Sequence, residues 1–319
     1  MVVVAVAILL LGELGARALS DRLPEPLTWY HPVAQVKVEQ MDALRAAGTS
    51  TDVVFAGTSQ MAIGADPVRF TQLVATHPST YNAALLAGYP AANRRFVLEE
   101  IVPRLHPRTI VYGVSSEDLQ AGPEAPYDQA LATEPGVLGS VDRWASSHSE
   151  LIRHRHDLRD PTVLSYALTI GNGGGELEHY RSSVIGPAGS WNFPSATRCQ
   201  PVGGVQPVRP DTPATFTPDA DRGGNVWATI DALRAQGIEV VLAVMPFADC
   251  YVDWFNRGAS DAAGRAAIAE GGRQRGLRVI DVAAEVHQDD LFGDPGHLNA
   301  AGRQRYTELL AAAWPAAGR

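Results

Sequence analysis

A serine stands in a short turn that directly follows a buried apolar run of the chain. The run is residues 52–56, and the turn reads Gly57-Thr58-Ser59-Gln60. Glycine lets the backbone turn sharply, and a helix that begins there points its first N–H groups at the turn. The chemistry open to such a serine is nucleophilic attack on an acyl group. A Gly-x-Ser turn is also a common helix cap, so the turn alone leaves both interpretations open.

A carboxylate and an imidazole stand three residues apart in the turn Asp294-Pro295-Gly296-His297. A serine hydroxyl needs a base within hydrogen-bond reach, and the base needs a carboxylate that fixes its tautomer and stabilises its cation. This spacing can place both side chains on one rim, which predicts a Ser59–His297–Asp294 triad. The alternative is a turn with a capping aspartate and an exposed histidine.

A third group of residues can donate hydrogen bonds to an oxyanion, the charged oxygen that forms during acyl transfer. We predict this role for the backbone N–H of Ser59, for Gly88 and for Ser116. Gly88 follows the second apolar run of this region, and Ser116 follows the third. The structural alternatives are a turn at Gly88 and a helix cap at Ser116.

Residues this far apart in the chain need a scaffold that collects them at one edge. Short apolar runs alternate with helix-compatible stretches, which predicts a parallel sheet covered on both faces. We therefore expect an α/β fold with a three-layer, doubly wound, mainly parallel sheet of flavodoxin-like type, in which ligands bind outside the carboxyl ends of the strands. The predicted strands are residues 52–56, 80–85, 109–114, 239–244 and 278–282.

The composition indicates an ordinary globular protein and excludes one class of partner. The chain has 319 residues, of which 45% are hydrophobic and 19% charged, with a formal net charge of −9. An acidic chain lacks the basic surface that nucleic acids require, so we expect no nucleic-acid partner.

The N-terminal part of the chain is an uncharged apolar run over residues 2–11, followed by Glu13 and Arg17. Its length fits a signal peptide or the outer part of a membrane anchor, and a buried core helix is the alternative. A signal or anchor predicts an extracytoplasmic protein, secreted or associated with the membrane through its N-terminus. In that compartment Cys199 and Cys250 can form a disulfide.

We predict three segments for the chain. Residues 1–20 form the signal peptide or anchor, residues 21–50 form a connecting segment and a helix, and residues 51–319 form the α/β domain. A long helical and loop insertion over about residues 120–222 interrupts this domain. Loops of such length are often functional, so we expect the insertion over the active edge of the sheet.

Two aromatic residues after the fourth predicted strand, Tyr251 and Trp254, are candidates for substrate binding, because aromatic faces stack on sugars. Packing within the core or a loop is the alternative for both. We expect no metal site, because the histidines of the insertion lack a recognised ligand spacing. These histidines are His148, His154, His156 and His179.

Taken together, the motifs resemble the SGNH (GDSL-type) hydrolases. Ser59 matches the nucleophile of that family, Gly88 its second block, and Asp294 with His297 its Asp-x-x-His block. The continuation Leu298-Asn299 is similar to the branch of the family that acetylates polysaccharides. The resemblance covers about residues 50–118 and 225–314, and it departs from the family at two places. Thr58 replaces the Asp of Gly-Asp-Ser, and Glu117 stands where an Asn is usual.

The resemblance implies a serine-dependent O-acyl esterase or O-acyltransferase. Its expected substrates are acylated, in particular acetylated, glycans of the cell envelope or secreted glycans, with a separate acyl donor if it transfers. It implies no metal or organic cofactor, and it implies a membrane-bound O-acyltransferase as a partner. An ionised Glu117 would repel an oxyanion. The alternative is therefore a catalytically degenerate glycan-binding or scaffolding subunit of an acylation complex.

Overall fold

The computed structural model describes most of the chain with several gaps. The described residues are 2–23, 32–86, 89–120, 141, 144–146, 148–155, 157–159, 161–169, 179–191, 215–254 and 258–314.

Five parallel strands form the central sheet in the order β2-β1-β3-β4-β5. This order is the flavodoxin-like one, with the reversal of strand order between β1 and β3. The predicted α/β fold with a parallel sheet is confirmed, because these strands are the apolar runs that the sequence indicated. The strands are β1 Val53–Ala56, β2 Thr80–Asn82, β3 Thr109–Val114, β4 Glu239–Val244 and β5 Arg278–Asp281.

Helices connect and flank the strands. In the described residues they are α1 Val2–Leu19, α2 Pro32–Ala46, α3 Ser59–Gly64, α4 Pro67–Leu73, α5 Pro90–Phe96, α6 Val102–Leu105, α7 Glu150–Arg153, α8 Pro161–Thr169, α9 Ala220–Ala235, α10 Asp249–Trp254, α11 Gly258–Gln274 and α12 Ala300–Ala312. A π-helical turn, Val97–Ile101, joins α5 to α6, and a 3-10 turn, Ser116–Leu119, follows β3.

Helices cover both faces of the sheet. Helix α12 packs on α4 and α3, and α9 packs on α5. On the α4 and α12 side, inward-facing strand residues such as Phe55, Val111 and Val241 form one buried core with Phe70 and Tyr306. Strands β1 and β3, and β4 after Glu239, are buried along their length, which explains why they are mainly apolar and do not alternate. The edge strand β5 is only partly buried.

The chain divides into two compact units. The first comprises Met1–Gln35 and Thr133–Ser182, and the second comprises Val36–Ala132 and Ser183–Arg319. The second unit contains the sheet and every described residue of the predicted site. None of the helices in the described part of the chain has both the length and the apolar character needed to span a bilayer. The segment boundaries at residues 20 and 50, and the insertion over residues 120–222, stay predictions.

Three elements differ from the sequence-based expectation. Strand β2 ends at Asn82, although the sequence predicted a strand over residues 80–85. Before the fourth predicted strand the sequence is helix-compatible over residues 225–236, but helix α9 begins at Ala220. The side chain of Asp219 accepts hydrogen bonds from the N–H groups of Asp221 and Arg222 and so caps the helix at this earlier point. A small antiparallel hairpin of β6 Phe292–Asp294 and β7 His297–Leu298 was not predicted. Strands of three and two residues are too short to give a periodic signal.

Candidate active site

Ser59 is the first residue of α3, immediately after β1 and its turn. Gly57 in the turn has φ +138°, a conformation that side-chain-bearing residues rarely adopt. A Cβ atom at Gly57 would also lie 2.6 Å from the carbonyl oxygen of Gly113 on β3. The turn therefore needs glycine for both its backbone angle and its closeness to the neighbouring strand.

The far end of α3 is held by a buried amide. Asn82, at the end of β2, donates from Nδ2 to the carbonyl oxygens of Met61 and Ala65, both at 3.0 Å, and more weakly to that of Ala62. These carbonyls lie in the last turn of the helix and at its cap residue Ala65, where few intrahelical N–H groups remain to bind them. The Met61 carbonyl also accepts the N–H of Ala65, at 3.2 Å. Asn82 thus fixes the short helix that carries Ser59 at its start.

The hairpin of β6 and β7 carries Asp294 and His297 opposite each other. Asp294 Oδ1 accepts hydrogen bonds from the backbone N–H groups of Gly296 and His297, each at 2.9 Å. The carboxylate therefore shapes the turn and stands next to the imidazole that the turn presents.

The structure brings the three predicted catalytic side chains together. Ser59 Oγ lies 2.8 Å from His297 Nε2, and His297 Nδ1 lies 2.8 Å from Asp294 Oδ2 and 2.9 Å from Oδ1. The two ring nitrogens thus have different partners, a hydroxyl and a carboxylate. When Nδ1 carries the ring proton and donates it in a hydrogen bond to Asp294, the lone pair of Nε2 can accept the proton of Ser59.

The carboxyl group of Asp294 is held in its charged form. Burial acts to raise its pKa, but the hydrogen bond from His297, the charge of that ring and the two backbone N–H groups together lower the pKa below its ordinary value. A charged Asp294 is the form that can orient His297 and stabilise an imidazolium. Asp281, the carboxylate at the end of β5, does not contact His297 in this way. It accepts a hydrogen bond from Arg265 at 2.8 Å and forms a separate ion pair with it.

Gln60 links α3, the helix that begins at Ser59, to the histidine turn, Asp294-Pro295-Gly296-His297. Its Nε2 atom donates to the carbonyl oxygen of Gly296 at 3.1 Å and to that of Pro246 at 3.4 Å. Its side chain is buried, so these bonds form away from solvent. Sequence reasoning did not single out Gln60, and its position beside Ser59 was the only signal that could have done so.

The predicted oxyanion donors have three different outcomes. The backbone N–H of Ser59 lies in the first turn of α3, whose N–H groups have no partner within the helix, so it can face a substrate oxygen. Gly88 lies outside the described residues. The hydroxyl of Ser116 is buried and donates to Asp261 Oδ1 at 2.7 Å, so only its backbone N–H is left for the predicted role.

The turn after β3 is held by a buried carboxylate. Asp118 Oδ2 accepts from the backbone N–H of Ser115 at 2.7 Å and from its hydroxyl at 3.0 Å. Burial raises the pKa of Asp118 to about 6, against the opposing effect of the bonds from Ser115. Asp118 is therefore a structural residue of the turn that carries Glu117.

The carboxylate of Glu117 accepts a hydrogen bond from the hydroxyl of Tyr251 on α10. The Tyr251 ring stacks on Phe247, with centroids 4.3 Å apart. Phe247 in turn borders the histidine turn, since a methyl group on Gly296 would lie 3.8 Å from its Cε1 atom. Tyr251 thus joins the ends of β3 and β4 close to the histidine turn. Trp254 is the last residue of α10, and its side chain lies outside the described residues.

Two of the described histidines of the insertion contact other groups. His154 lies 3.3 Å from a carboxylate oxygen of Glu150, and His148 stacks on Trp144. His156 lies outside the described residues. Among the residues that the structure describes, no three His, Cys, Asp or Glu side chains gather as metal ligands would.

Comparison with known proteins gives only distant structural likenesses. No protein-family model matches the chain, and no curated protein sequence matches it. A protein from Bacteroides fragilis that is described as an acylhydrolase is 11% identical in sequence, with a TM-score of 0.45, over 87% of this chain and 95% of that one. A GDSL-like lipase from Bacteroides thetaiotaomicron is 11% identical with a TM-score of 0.41, over 87% and 97%. A lipase/acylhydrolase from Enterococcus faecalis is 12% identical with a TM-score of 0.40, over 82% and 94%. At such low identities and TM-scores, the activities of those proteins do not transfer to this chain.

Proposed function

We propose that this chain is a serine-dependent O-acyl esterase or O-acyltransferase of the SGNH type. The observation that carries the proposal is the contact of Ser59 Oγ with His297 Nε2 at 2.8 Å, with Asp294 at the opposite ring nitrogen. A serine, a histidine and a carboxylate in this order are the groups that acyl transfer requires.

The proposed reaction begins with proton transfer from Ser59 Oγ to His297 Nε2. Oγ attacks the ester carbonyl carbon, and the carbonyl electrons move to the oxygen, which accepts hydrogen bonds from the Ser59 N–H and a second donor. The tetrahedral intermediate then breaks its bond to the leaving alcohol, which takes the proton from His297. An acyl-Ser59 ester remains.

The second half of the reaction repeats these steps with a new acceptor. A water molecule or a sugar hydroxyl gives its proton to His297 and attacks the acyl carbon, and Ser59 leaves with the proton that His297 returns. Water gives net hydrolysis, and a sugar hydroxyl gives net transfer. The same residues serve both outcomes, so the acceptor decides between esterase and transferase.

We propose acylated, in particular acetylated, glycans of the cell envelope as the substrates, with the protein working outside the cytoplasm beside a membrane-bound O-acyltransferase. Cys250 is disulfide-bonded, which supports an oxidising compartment. Cys199, the other cysteine of the chain, lies outside the described residues. The half-buried ring of Tyr251, near the histidine turn, offers an aromatic contact for a sugar.

A catalytically degenerate glycan-binding subunit is the second candidate, and the position of Glu117 favours it. The SGNH hydrolases, which this chain resembles, usually have an amide at the place of Glu117. A charged carboxylate cannot donate a hydrogen bond to an oxyanion and repels it. This candidate predicts glycan binding that survives removal of the Ser59 hydroxyl and no acyl-enzyme.

Acetate release from a chromogenic acetate ester and from an acetylated glycan tests the proposed function. The wild type, Ser59→Ala and His297→Ala would be compared, and mass spectrometry would search for an acetyl group on Ser59. The proposal expects turnover and acetyl-Ser59 only in the wild type. Equal rates in wild type and Ser59→Ala would overturn it, and glycan binding without turnover would favour the second candidate.

A further inference from the structure

Exposed apolar side chains concentrate in the first unit of the chain. Of the large apolar side chains that are exposed in the described residues, only Val68 and Leu73 belong to the sheet-containing unit. All others lie in the unit of Met1–Gln35 and Thr133–Ser182. They are Val4, Val6, Ile8, Leu9, Leu10, Leu11, Leu14, Val141, Trp144 and Leu168.

The exposed side chains of α1 lie on three sides of the helix. Successive residues of an α-helix are rotated by about 100°. Val4, Ile8 and Leu11 therefore share one side, Val6 and Leu9 lie on the opposite side, and Leu10 with Leu14 covers a third. Each of these side chains is between 49% and 69% exposed.

This distribution selects the kind of partner. A groove on a protein, or a second copy of the helix, covers one stripe of a helix and leaves the opposite side in water. Side chains exposed on three sides lose contact with water together only in a medium that encloses most of the helix. The hydrocarbon of a lipid layer is such a medium, and ten helical residues extend about 15 Å, the depth of one leaflet.

Helix α1 is fixed to the rest of its unit at the end that follows the apolar run. The carboxylate of Glu13 accepts hydrogen bonds from Ser149 Oγ at 2.7 Å and from the N–H groups of Glu150 and Leu151 at 3.2 and 3.1 Å, at the start of α7. Gly12 lies against the side chain of Leu151. The apolar helix is thus joined to the segment that contains Trp144.

Trp144 is another exposed apolar side chain of the same unit. It is 65% exposed and stacks on His148, with centroids 4.7 Å apart, shortly before α7 begins. Tryptophan is the residue type enriched where a bilayer meets water. Arg17 pairs with Glu13 and Arg153 pairs with Glu150, so we expect that these arginines do not require an anionic lipid.

We propose that the unit of Met1–Gln35 and Thr133–Ser182 is a lipid-binding module, in which α1 enters the hydrocarbon of a bilayer and Trp144 lies at its surface. The segment after residue 133 then contributes to the lipid contact, beyond a tether at the N-terminus alone. The lipid-binding proposal does not depend on the chemistry of Ser59, so it can be confirmed or rejected separately from the proposed function.

Flotation of the full chain with phosphatidylcholine vesicles tests the module. Wild type and Ser59→Ala are expected to float equally, at low and at high salt. The double variant Leu9→Glu/Leu10→Glu should lose at least tenfold in vesicle binding, and Trp144→Ala should lose severalfold. The matched control Val68→Glu/Leu73→Glu changes two exposed apolar residues of α4 and should float like the wild type.

Three results would overturn the module. These are a wild type that stays with the soluble fraction, a control that loses as much binding as the α1 variant, and a Trp144→Ala variant that binds like the wild type. Sedimentation without lipid identifies the competing occupant. A discrete dimer that Leu9→Glu/Leu10→Glu dissociates, together with absence of flotation, would assign the surface to a second copy and reject the lipid.

Discussion

The Nε2 atom of Gln60 lies 3.1 Å from the carbonyl oxygen of Gly296. Gln60 follows the candidate nucleophile Ser59, and Gly296 precedes the candidate base His297. One buried hydrogen bond thus joins the two segments that must be in register for proton transfer. Gln60 is a positioning residue in the proposed mechanism, because it acts on Ser59 and His297 through their backbones.

Gln60→Ala should lower kcat by about 10- to 100-fold with little change in KM, because small misplacements of reacting groups are costly. Gln40→Ala is the matched control, since Gln40 Nε2 also donates to a backbone carbonyl, that of Gly186, at 3.1 Å. Both variants should lower the unfolding midpoint by similar amounts. Steady-state kinetics with a chromogenic ester would check this, and equal kcat values for the two variants would contradict the positioning role.

Gly57→Ala should destabilise the protein by several kcal/mol and abolish turnover, because the new Cβ meets the Gly113 carbonyl in a strained backbone conformation. Gly48→Ala is the control: Gly48 has φ +67°, but a Cβ added there would meet no neighbouring group within 4 Å. Its cost should be limited to about 1 kcal/mol for the backbone angle. Urea unfolding of both variants measures the difference, and equal losses would show that closeness to β3 is unimportant.

Asp294→Asn should lower kcat by about 10⁴-fold while leaving Ser59 in place, because the amide cannot stabilise the imidazolium. The variant should also remove a pH-dependent part of the stability. The folded-state pKa of Asp294 lies below its ordinary value of 3.8, so its contribution is present above that pH and is lost as the pH falls further. The unfolding free energies of wild type and variant should therefore converge below pH 3.8. A constant difference down to lower pH would contradict this.

Lys37 gives a pH prediction for the neutral to alkaline range. It is fully buried and donates from Nζ to the carbonyl oxygens of Asn82 and Gly189, and burial lowers its pKa from 10.5 to about 7. Between these values the unfolded chain binds more protons, so stability should rise with pH from about 7 to 10.5. Lys37→Met should flatten this rise, as measured by unfolding at several pH values. An unchanged slope in the variant would refute the assignment to Lys37.

Glu117→Asn should raise the turnover of a small acetate ester by at least about tenfold, since one oxyanion donor is worth about 10²–10³ in rate. The change replaces a group that repels an oxyanion with one that donates to it. Tyr251→Phe serves as the control, because it breaks the same contact with Tyr251 and adds no donor. A rate increase in both variants, or in neither, would show that Glu117 does not face the oxyanion.

The sequence predicted the sheet and the three central site residues for different reasons. Strands β3 and β4 are mainly apolar because both of their faces are buried, which made them recognisable at their actual bounds. Ser59, Asp294 and His297, which the structure brings within hydrogen-bond distance, could be singled out because each occurs in a short turn whose residue types and spacing suit acyl transfer. A turn depends on a few neighbouring residues, so it can be recognised in the sequence without knowledge of the fold.

Other features could not be predicted because the tertiary fold alone sets their partners. The amide of Asn82 and the amide of Gln60 look like ordinary polar residues until the carbonyls of α3 and of the histidine turn are placed beside them. The pairing of Glu117 with Tyr251 joins residues that are 134 positions apart. The grouping of α1 with Thr133–Ser182 has no sequence signal either, since Glu13 is a single carboxylate at the end of an apolar run.

The central claim is that Ser59 is an activated nucleophile, and labelling with a fluorophosphonate serine-hydrolase probe tests it most directly. Wild type should be labelled on Ser59, while Ser59→Ala and His297→Ala should not be labelled. Ser79→Ala should be labelled like the wild type, because the Ser79 hydroxyl bonds to a carboxylate, Asp52, outside the triad. Absence of label in the wild type, or label that persists in Ser59→Ala, would contradict the proposed mechanism.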